Sequence, residues 1–498
     1  MASLAGRRWL LASCLASYLF SIMLIYQMSP FFQSYASACC GATPNTVGVI
    51  FAALPFSSFL GSLAMADCLG RLGAQSSLAA GLIALAGCTI GFGLSDSVGG
   101  FFLWRVCQGV ASAAVYTSIS TAMAQAFTGP GEFALANGMQ EMAGNLGFSA
   151  GPVVGAMLYQ WGGFLAPFAA GAAGHVFLVA LSSYVWPPPA AKGKAAEGEA
   201  HLLDGQEIEP LEPKSIVTWR EVASTDLLWL AGAAALAIGS WGCVEPTLAV
   251  HFEASLAIST GTQIGLLFGI PALFSVAASA ATVPLMEHVG GVAVSVAGML
   301  QLSMGCILLG LTDPTAGLAQ PQSSGPPAPL GIPVGSPAMW AVSYAAMILV
   351  NTGYALVWTP ILPLMMDLAK VELADGSRDA ANAVSAIFNA AAAMGEAAGP
   401  IIGGAMSSVH GFAGTSLTPA LASLLYAAAL FSRAPHLGGF SRRPSADDSL
   451  DALEHAVAAP SQIHLRSSIA GPAHEMSRSI SGGSANEVSP AHFAPIRL

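Results

Sequence analysis

Long uninterrupted apolar stretches are the feature that most constrains this chain. Hydrocarbon about 30 Å thick is crossed by about 20 apolar residues in a helix. Twelve stretches reach that length, with approximate limits 9–33, 45–66, 76–94, 100–125, 135–160, 164–186, 226–250, 262–285, 291–311, 338–366, 380–406 and 415–432. Lipid offers the backbone no hydrogen-bond partners, so continuous runs of this kind are helices. The sequence therefore predicts an all-α, polytopic membrane protein.

The composition excludes several other classes of protein. Charged residues are 9% of the chain and hydrophobic residues 54%, whereas a soluble domain has about 25% charged residues. A water-soluble protein, a collagen, an acidic disordered chain and a basic nucleic-acid-binding domain are all excluded as the main identity. We expect the lipid bilayer as the chain's environment and no nucleic-acid partner.

Two polar segments divide the chain. Residues 187–224 begin with three prolines and are acidic, and residues 436–498 are rich in Ser, Pro, Ala and Gly. Such compositions are typical of linkers and disordered tails. The sequence therefore predicts an N-terminal six-helix bundle (1–186), a cytosolic acidic linker (187–224), a C-terminal six-helix bundle (225–435) and a disordered cytosolic tail (436–498).

Basic residues predict the sidedness. If the twelve spans alternate in direction, the two termini and the even-numbered loops share one side of the membrane. That side holds 15 of the 16 Lys and Arg residues, and the sixteenth, Arg105, lies inside a span. Cytosolic loops carry such an excess, so we expect both termini in the cytosol.

A glycine–proline pattern occurs twice. Span 5 reads G-x-x-x-G-P-x-x-G over residues 147–155, and span 11 repeats the pattern over 395–403, 248 residues later. Glycines allow helices to approach closely, and a proline permits a bend. The pattern favours either rocking of one half against the other or simple tight packing. The residues assigned to it are Gly151, Pro152, Gly155, Gly399 and Pro400.

Five ionisable residues lie inside predicted spans: Arg105, Glu141, His175, Glu245 and Glu396. Such residues are expensive in lipid and usually face a cavity or a partner. Three acids against one permanent base favour protons or a cationic substrate over an anion. No metal cluster, nucleotide-binding loop or nucleophile–base pair is visible, so we expect no metal, no cofactor and no enzyme.

Individual roles remain open between two interpretations. Glu245 before Pro246 is either a cation or proton site or a carboxyl near the outer surface. Glu396, which shares a helix face with Asn389, binds substrate or holds the bundle together. Glu141 is either a site residue or a cytosolic-side hydrogen-bonding group. Tyr26, Tyr116, Tyr354 and Trp358 either attract an organic cation through their rings or pack helices.

Three motifs together resemble the major facilitator superfamily of transporters. The loop after span 2 keeps Asp67, Gly70 and Arg71, although Leu72 replaces a second arginine. Span 4 has R-x-x-Q-G over residues 105–109, and span 5 has the G-P-x-x-G core. The resemblance implies twelve transmembrane helices in two pseudo-symmetric six-helix bundles. It also implies proton coupling by Arg105, with Gln108 and Gly109 in the same motif; the alternative for Arg105 is a packing bond to backbone carbonyls. Asp67 and Arg71 either form a cytosolic latch between helix ends or bind substrate.

Within that superfamily, the chain looks most like the vesicular amine and polyamine branch of the drug:proton antiporters. The supporting stretches are residues 29–32, 48–52, 151–168 and 244–248. Span 1 lacks the acidic residue that monoamine members have there. We therefore predict proton-coupled antiport of a small organic cation, an amine, polyamine or drug-like molecule, by a monomer in a vesicular, vacuolar or plasma membrane. The alternatives are a facilitator or symporter of a neutral solute, and a non-transporting sensor or scaffold.

Overall fold

The computed structural model describes residues 4–127, 132–185, 224–258, 260–314, 330–373 and 378–435, and helices are the regular structure throughout these ranges. The predicted linker and tail lie almost entirely outside them. The twelve helices are α1 (Leu4–Tyr26), α2 (Phe32–Cys40), α3 (Pro44–Leu72), α4 (Ala74–Gly93), α5 (Val98–Ala126), α6 (Glu132–Gly162), α7 (Leu165–Val185), α8 (Thr225–Leu256), α9 (Gly261–Val289), α10 (Gly291–Leu311), α11 (Pro337–Leu373) and α12 (Arg378–Arg433).

The described helices account for twelve membrane crossings. Ten of them are long and apolar enough to span by length and composition, and one of these ten covers Ala383–Arg433. That long helix breaks at Gly411, where φ is 67° and ψ is −166°, so it crosses twice. Helix α6 supplies the twelfth crossing; its Glu, Asn and Gln side chains dilute its hydropathy. The predicted fold is confirmed: an all-α protein with two pseudo-symmetric six-helix bundles.

The first span differs from its predicted limits of 9–33. Helix α1 ends at Tyr26, a turn covers residues 27–31, and the short helix α2 follows. Pro30 has no N–H to continue the α1 ladder, and the N–H groups of Phe31 and Phe32 both bond back to the Met28 carbonyl. The first span is therefore broken where a continuous helix was expected, and the break places the buried Ser29 hydroxyl against the C-terminal bundle.

Glycine stripes hold each bundle together in the same way. A Cβ atom on Gly155 of α6 would overlap the Gln27 carbonyl at the end of α1. A Cβ on Gly403 of α12 would overlap the Cys243 carbonyl of α8 in the same manner. Only glycine permits such backbone contact. The same backbone contact is made by Gly147, Gly151, Gly395 and Gly399.

The two bundles meet through α3 against α12 and α6 against α9. We call the end where α1 begins and α12 finishes the terminal end, and the opposite end the far end. Side-chain hydrogen bonds from Tyr26 to Glu396 and from Ser29 to Glu245 join the bundles near the middle, and bonds from Ser34 to Glu253 and from Thr262 to Gln160 join them at the far end. Near the terminal end, Glu141 of α6 and Asn389 of α12 are exposed. The interface is therefore closed at the far end.

Cysteine labelling should report which side the far end faces. Cys39 is exposed at the end of α2, and its thiol donates a 3.2 Å hydrogen bond to the Cys40 sulfur. Partial desolvation and that bond raise the pKa of the Cys39 thiol to about 11. If the termini are cytosolic, a membrane-impermeant maleimide labels Cys39 only from the opposite side.

The labelling rate should also rise about tenfold per pH unit between about pH 7 and pH 9, because only the thiolate reacts and its fraction grows up to the raised pKa. Mass spectrometry of labelled, sealed cells or vesicles gives both results. Cys39→Ser combined with Cys40→Ser is the control and should remove the labelled peptide, because Cys40 is also a free, partly exposed thiol on that peptide. Labelling of Cys39 from the cytosolic side would contradict the predicted sidedness.

Candidate functional site

A small cavity lies where the two bundles meet, at the middle of the protein. Its volume is about 20 Å³, which is room for about one water molecule. The lining residues are Ile25, Tyr26, Phe51, Pro55, Arg105, Ile238, Trp241, Gly242, Glu245, Glu396 and Pro400. The cavity thus brings together three of the five ionisable residues found by sequence, from α5, α8 and α12.

Glu245 is buried in this cavity, with 5% of its surface exposed. The Ser29 hydroxyl, in the break of the first span, donates a 2.5 Å hydrogen bond to Glu245 Oε1. Pro246 follows inside α8. Glu245 therefore lies buried in the interface between the two bundles.

Glu396 lines the same cavity from α12, which belongs to the same bundle as the α8 helix of Glu245. The Tyr26 hydroxyl lies 3.4 Å from Glu396 Oε1 and donates to it. The Tyr26 ring packs edge-on against Phe148 with 4.7 Å between centroids. Of the four aromatic candidates, Tyr26 is the one that lines the cavity, and both glutamates accept a hydrogen bond from the other bundle.

Arg105 is 3% exposed and supplies the positive charge of the cavity. Its Nη1 donates a 3.2 Å hydrogen bond to Gln108 Oε1, and Gln108 Nε2 donates to Thr89 Oγ1 at 3.2 Å. The guanidinium carbon lies 5.8 Å from the ring centres of both Phe51 and Phe92. The guanidinium is held by the Gln108 amide and by two aromatic rings. It also lies close enough to Glu245 and Glu396 to interact electrostatically with both carboxylates.

These three residues set the charge of the cavity. A guanidinium stays charged at any physiological pH, so the cavity carries a net charge of −1 when Glu245 and Glu396 are both ionised. A net charge is costly in a cavity with almost no water. One added positive charge, a proton or a cation, makes the cavity neutral.

The other predicted site residues lie outside the cavity. Exposed Glu141 is within electrostatic range of the Tyr18 and Tyr354 hydroxyls, which belong to different bundles. Exposed Asn389 is two turns from Glu396 towards the terminal end. Both residues therefore lie on the terminal-end side of the cavity and do not line it.

Tyr354 and Trp358 belong to a packed aromatic group. Their rings stack at 5.6 Å between centroids, and Trp358 lies 4.9 Å from the Phe388 ring. They pack against the apolar core of the C-terminal bundle. These contacts support the interpretation that the two rings pack helices. Neither ring lines the central cavity.

The motif residues are placed as follows. Gly109 lets α5 pack against α3, because a Cβ there would overlap Ser57 and the Leu54 carbonyl. The side chains of Asp67 and Arg71, and the surroundings of Gly70, lie outside what the structure describes. His175 is buried, its Nδ1 2.7 Å from the Gly171 carbonyl and its Nε2 3.4 Å from Ser21 Oγ.

Sequence reasoning missed Ser29 as a partner of Glu245. Ser29 is 216 residues away in sequence, and its only signal was membership in the Ser29-Pro30 stretch that resembles transporters. Trp241, one helical turn before Glu245, was also missed. It packs edge-on against Phe148 of the other bundle at 5.2 Å between centroids.

Comparison with known proteins decides the family. The sequence profile described as Major Facilitator Superfamily matches residues 9–377. The chain belongs to the major facilitator superfamily. This membership confirms the family predicted from the three motifs, and with it a transporter fold rather than an enzyme.

Two solved structures share the fold of this superfamily member. The nucleoside transporter NupG aligns with a TM-score of 0.59 and 13% identity, covering 85% of this chain and 98% of that one. A bacterial homologue of the human lysosomal transporter Spinster, inward-facing and unoccupied, aligns with a TM-score of 0.60 and 13% identity, covering 86% and 96%.

Among curated relatives, the MFS-type transporter SLC18B1 is similar to this chain. The mouse (Mus musculus) protein is 28% identical over 261 residues, which is 51% of this chain and 52% of the relative. The human (Homo sapiens) protein is 33% identical over 186 residues, 36% of this chain and 40% of the relative. The matched region thus spans about half the length of these relatives or less.

Proposed function

We propose that this superfamily member is a secondary active transporter that exchanges protons for a small organic cation by alternating access. The charge of the central cavity carries the proposal. Arg105 with two ionised glutamates leaves one negative charge, and either a proton or a monovalent cation neutralises it. Because a cavity of this burial disfavours net charge, the two ligands compete, and competition at one site is the basis of antiport.

The contacts around the cavity suit alternating exposure. Glu245 and Glu396 are each held by a hydroxyl from the opposite bundle, Ser29 and Tyr26. Separation of the bundles at the far end breaks the Ser29 bond and frees the Glu245 carboxylate on that side. Access from the terminal end passes Glu141 and Asn389. The site thus has an approach on each side.

The small volume of the cavity is compatible with this proposal. About 20 Å³ leaves no room for an organic cation in the described conformation, so cation binding requires the bundles to move apart. A proton needs no such room. We therefore assign the described conformation to the protonated, cation-free part of the cycle, in which Glu245 or Glu396 carries the proton.

The finer assignments are part of the same proposal. We place the transporter in a vesicular, vacuolar or plasma membrane, with both termini cytosolic, and treat it as a monomer whose partners are the bilayer, protons and its substrate. Similarity to MFS-type transporter SLC18B1 and to the amine branch supports a cationic substrate. The linker and tail are the segments on which a sensor or scaffold function would depend.

Uptake by proteoliposomes tests the proposal. Purified full-length protein is reconstituted, a pH gradient is imposed with the acid side inside, and labelled polyamines, monoamines and neutral sugars are offered. We expect at least one amine to accumulate, and to leave again when the gradient is collapsed. Gradient-independent equilibration of a neutral sugar with no amine uptake would instead support the facilitator alternative. No uptake in the whole panel would reject the transporter proposal for these substrates.

A further inference from the structure

A second and larger cavity lies between the bundles at the far end. Its volume is about 140 Å³, and a cavity of about that size takes a molecule as large as benzene. Its walls come from the break of the first span, the end of α6, the end of α8 and the start of α9. The lining residues are Pro30, Phe31, Ser34, Tyr159, Glu253, Ile258, Thr260, Gly261 and Ile264.

Glu253 is the charged residue in this wall. It is half-buried, and the Ser34 hydroxyl of the other bundle lies 3.2 Å from its Oε1 and 3.1 Å from its Oε2. A hydroxyl has one proton to donate, so one Ser34 bond leaves most of the acceptor capacity of the carboxylate unused. The sequence did not single out Glu253.

The described residues of the far end contain no lysine or arginine, and their bases are two histidines, His251, which is buried against Thr312, and His410. The described segments at the far end, residues 27–43, 93–98, 256–258, 260–261, 311–314, 330–337 and 406–415, contain neither Lys nor Arg. They and the end of α8 do contain three carboxylates, Asp96, Glu253 and Asp313. A half-buried carboxylate under a negative field favours a cation from solution.

Two aromatic residues, Phe31 and Tyr159, also line the cavity. The Tyr159 ring stacks on the Phe31 ring with 4.4 Å between centroids and 3° between planes. Tyr159 is also within electrostatic range of Glu253. A carboxylate and aromatic rings that line one cavity can bind an organic ammonium group together, through charge attraction to the carboxylate and cation–π attraction to a ring.

We propose that the Glu253 cavity is a second binding site for a small organic ammonium ion, separate from the central one. Glu253 lies eight residues beyond Glu245 on α8, about 12 Å along the helix. The site therefore holds the cation on the far side before or after it occupies the central cavity. The identity of the physiological cation rests on the proposed function, but the cation site itself is testable without transport.

Protection of an introduced cysteine tests this site. Thr260→Cys is placed in the full-length protein with Cys39→Ser and Cys40→Ser, and the protein is held in lipid nanodiscs so that both sides are accessible. The probe is benzylamine, with benzyl alcohol as its uncharged counterpart. We expect benzylamine at about 10 mM or less to slow maleimide labelling of Thr260→Cys, and benzyl alcohol not to. A dissociation constant of about 1 mM corresponds to about −4 kcal/mol, which the ion pair supplies together with cation–π attraction and burial of the benzyl ring.

Two variants separate a cation site from a simple latch between the bundles. Glu253→Gln removes the charge and should raise the half-protecting benzylamine concentration about fivefold or more. Ser34→Ala removes the competing donor and should lower that concentration. If Glu253 and Ser34 only hold the bundles together, both variants weaken the same hydrogen bond and should change the half-protecting benzylamine concentration in the same direction. That result would overturn the proposal. Absence of protection, or equal protection by benzyl alcohol, would overturn it too.

Amine uptake by the same proteins keeps the two proposals apart. Protection at Thr260→Cys without any proton-driven uptake removes the proposed function and retains the far-end site. Uptake with no protection removes the far-end site alone.

Discussion

Glu245→Gln is expected to reduce proton-driven amine uptake about a hundredfold or more. The glutamine still accepts the Ser29 hydrogen bond, but it carries no charge and binds no proton. Arg105 with one glutamate then leaves the cavity neutral before any cation enters, and a cation would add an uncompensated buried charge, at a cost of about 3–5 kcal/mol. Initial uptake rates in proteoliposomes with an imposed pH gradient measure the loss.

Glu132→Gln is the matched control for this prediction. Glu132 pairs with Arg7 at the terminal end, and its side chain is 42% exposed. An exposed pair contributes about 0–1 kcal/mol, so uptake should stay within a few-fold of the unmodified protein. Undiminished proton-dependent uptake by Glu245→Gln would remove Glu245 from the mechanism.

Gly403→Val is expected to destabilise the protein more strongly than any change at an open glycine. The new side chain would overlap the Cys243 carbonyl of α8, and backbone on both sides leaves no flexible atom to move. Overpacking costs about 1–3 kcal/mol where side chains can adjust, so the cost here should be at least at the upper end. We expect the melting temperature of the purified protein to fall by about 5 °C or more, or the folded protein to be lost.

Gly87→Val in α4 provides the comparison. A Cβ at Gly87 has no neighbour within 4 Å, so its effect should be limited to the small helix-propensity difference between Gly and Val. Differential scanning fluorimetry of both variants in the same detergent separates the two cases. Equal melting temperatures would mean that α8 and α12 do not pack as closely as described.

The glycine stripes show what the sequence alone predicted well. Because spans 5 and 11 carry the same glycine pattern, the sequence predicted equivalent helix packing in the two halves. In the structure, each stripe packs against the first helix of its own bundle. Apolar length predicted the helices in the same way, because lipid leaves the backbone no alternative. Such predictions depend on local sequence and on repetition, so they need no knowledge of distant contacts.

The side-chain contacts between the two bundles could not be predicted from the sequence. Glu245 and Ser29 are adjacent only because the first span breaks at residues 27–31, and the long apolar run around Ser29 gave no sign of a break beyond one proline. Tyr354 and Trp358 share a helix face, which predicted proximity to each other but not that both would pack into the bundle core. The same pattern of residues is typical of a binding face and of a packed face.

The sign of proton movement during amine entry tests the central claim most directly. Weakly buffered proteoliposomes with no initial pH gradient contain a pH-sensitive dye, and an amine transported in the panel is added outside as its non-permeant cation. Exchange at the Glu245–Glu396 cavity predicts that the interior becomes more alkaline as the amine enters, and that Glu245→Gln abolishes both signals. Amine entry with an unchanged or acidified interior would contradict antiport at this cavity.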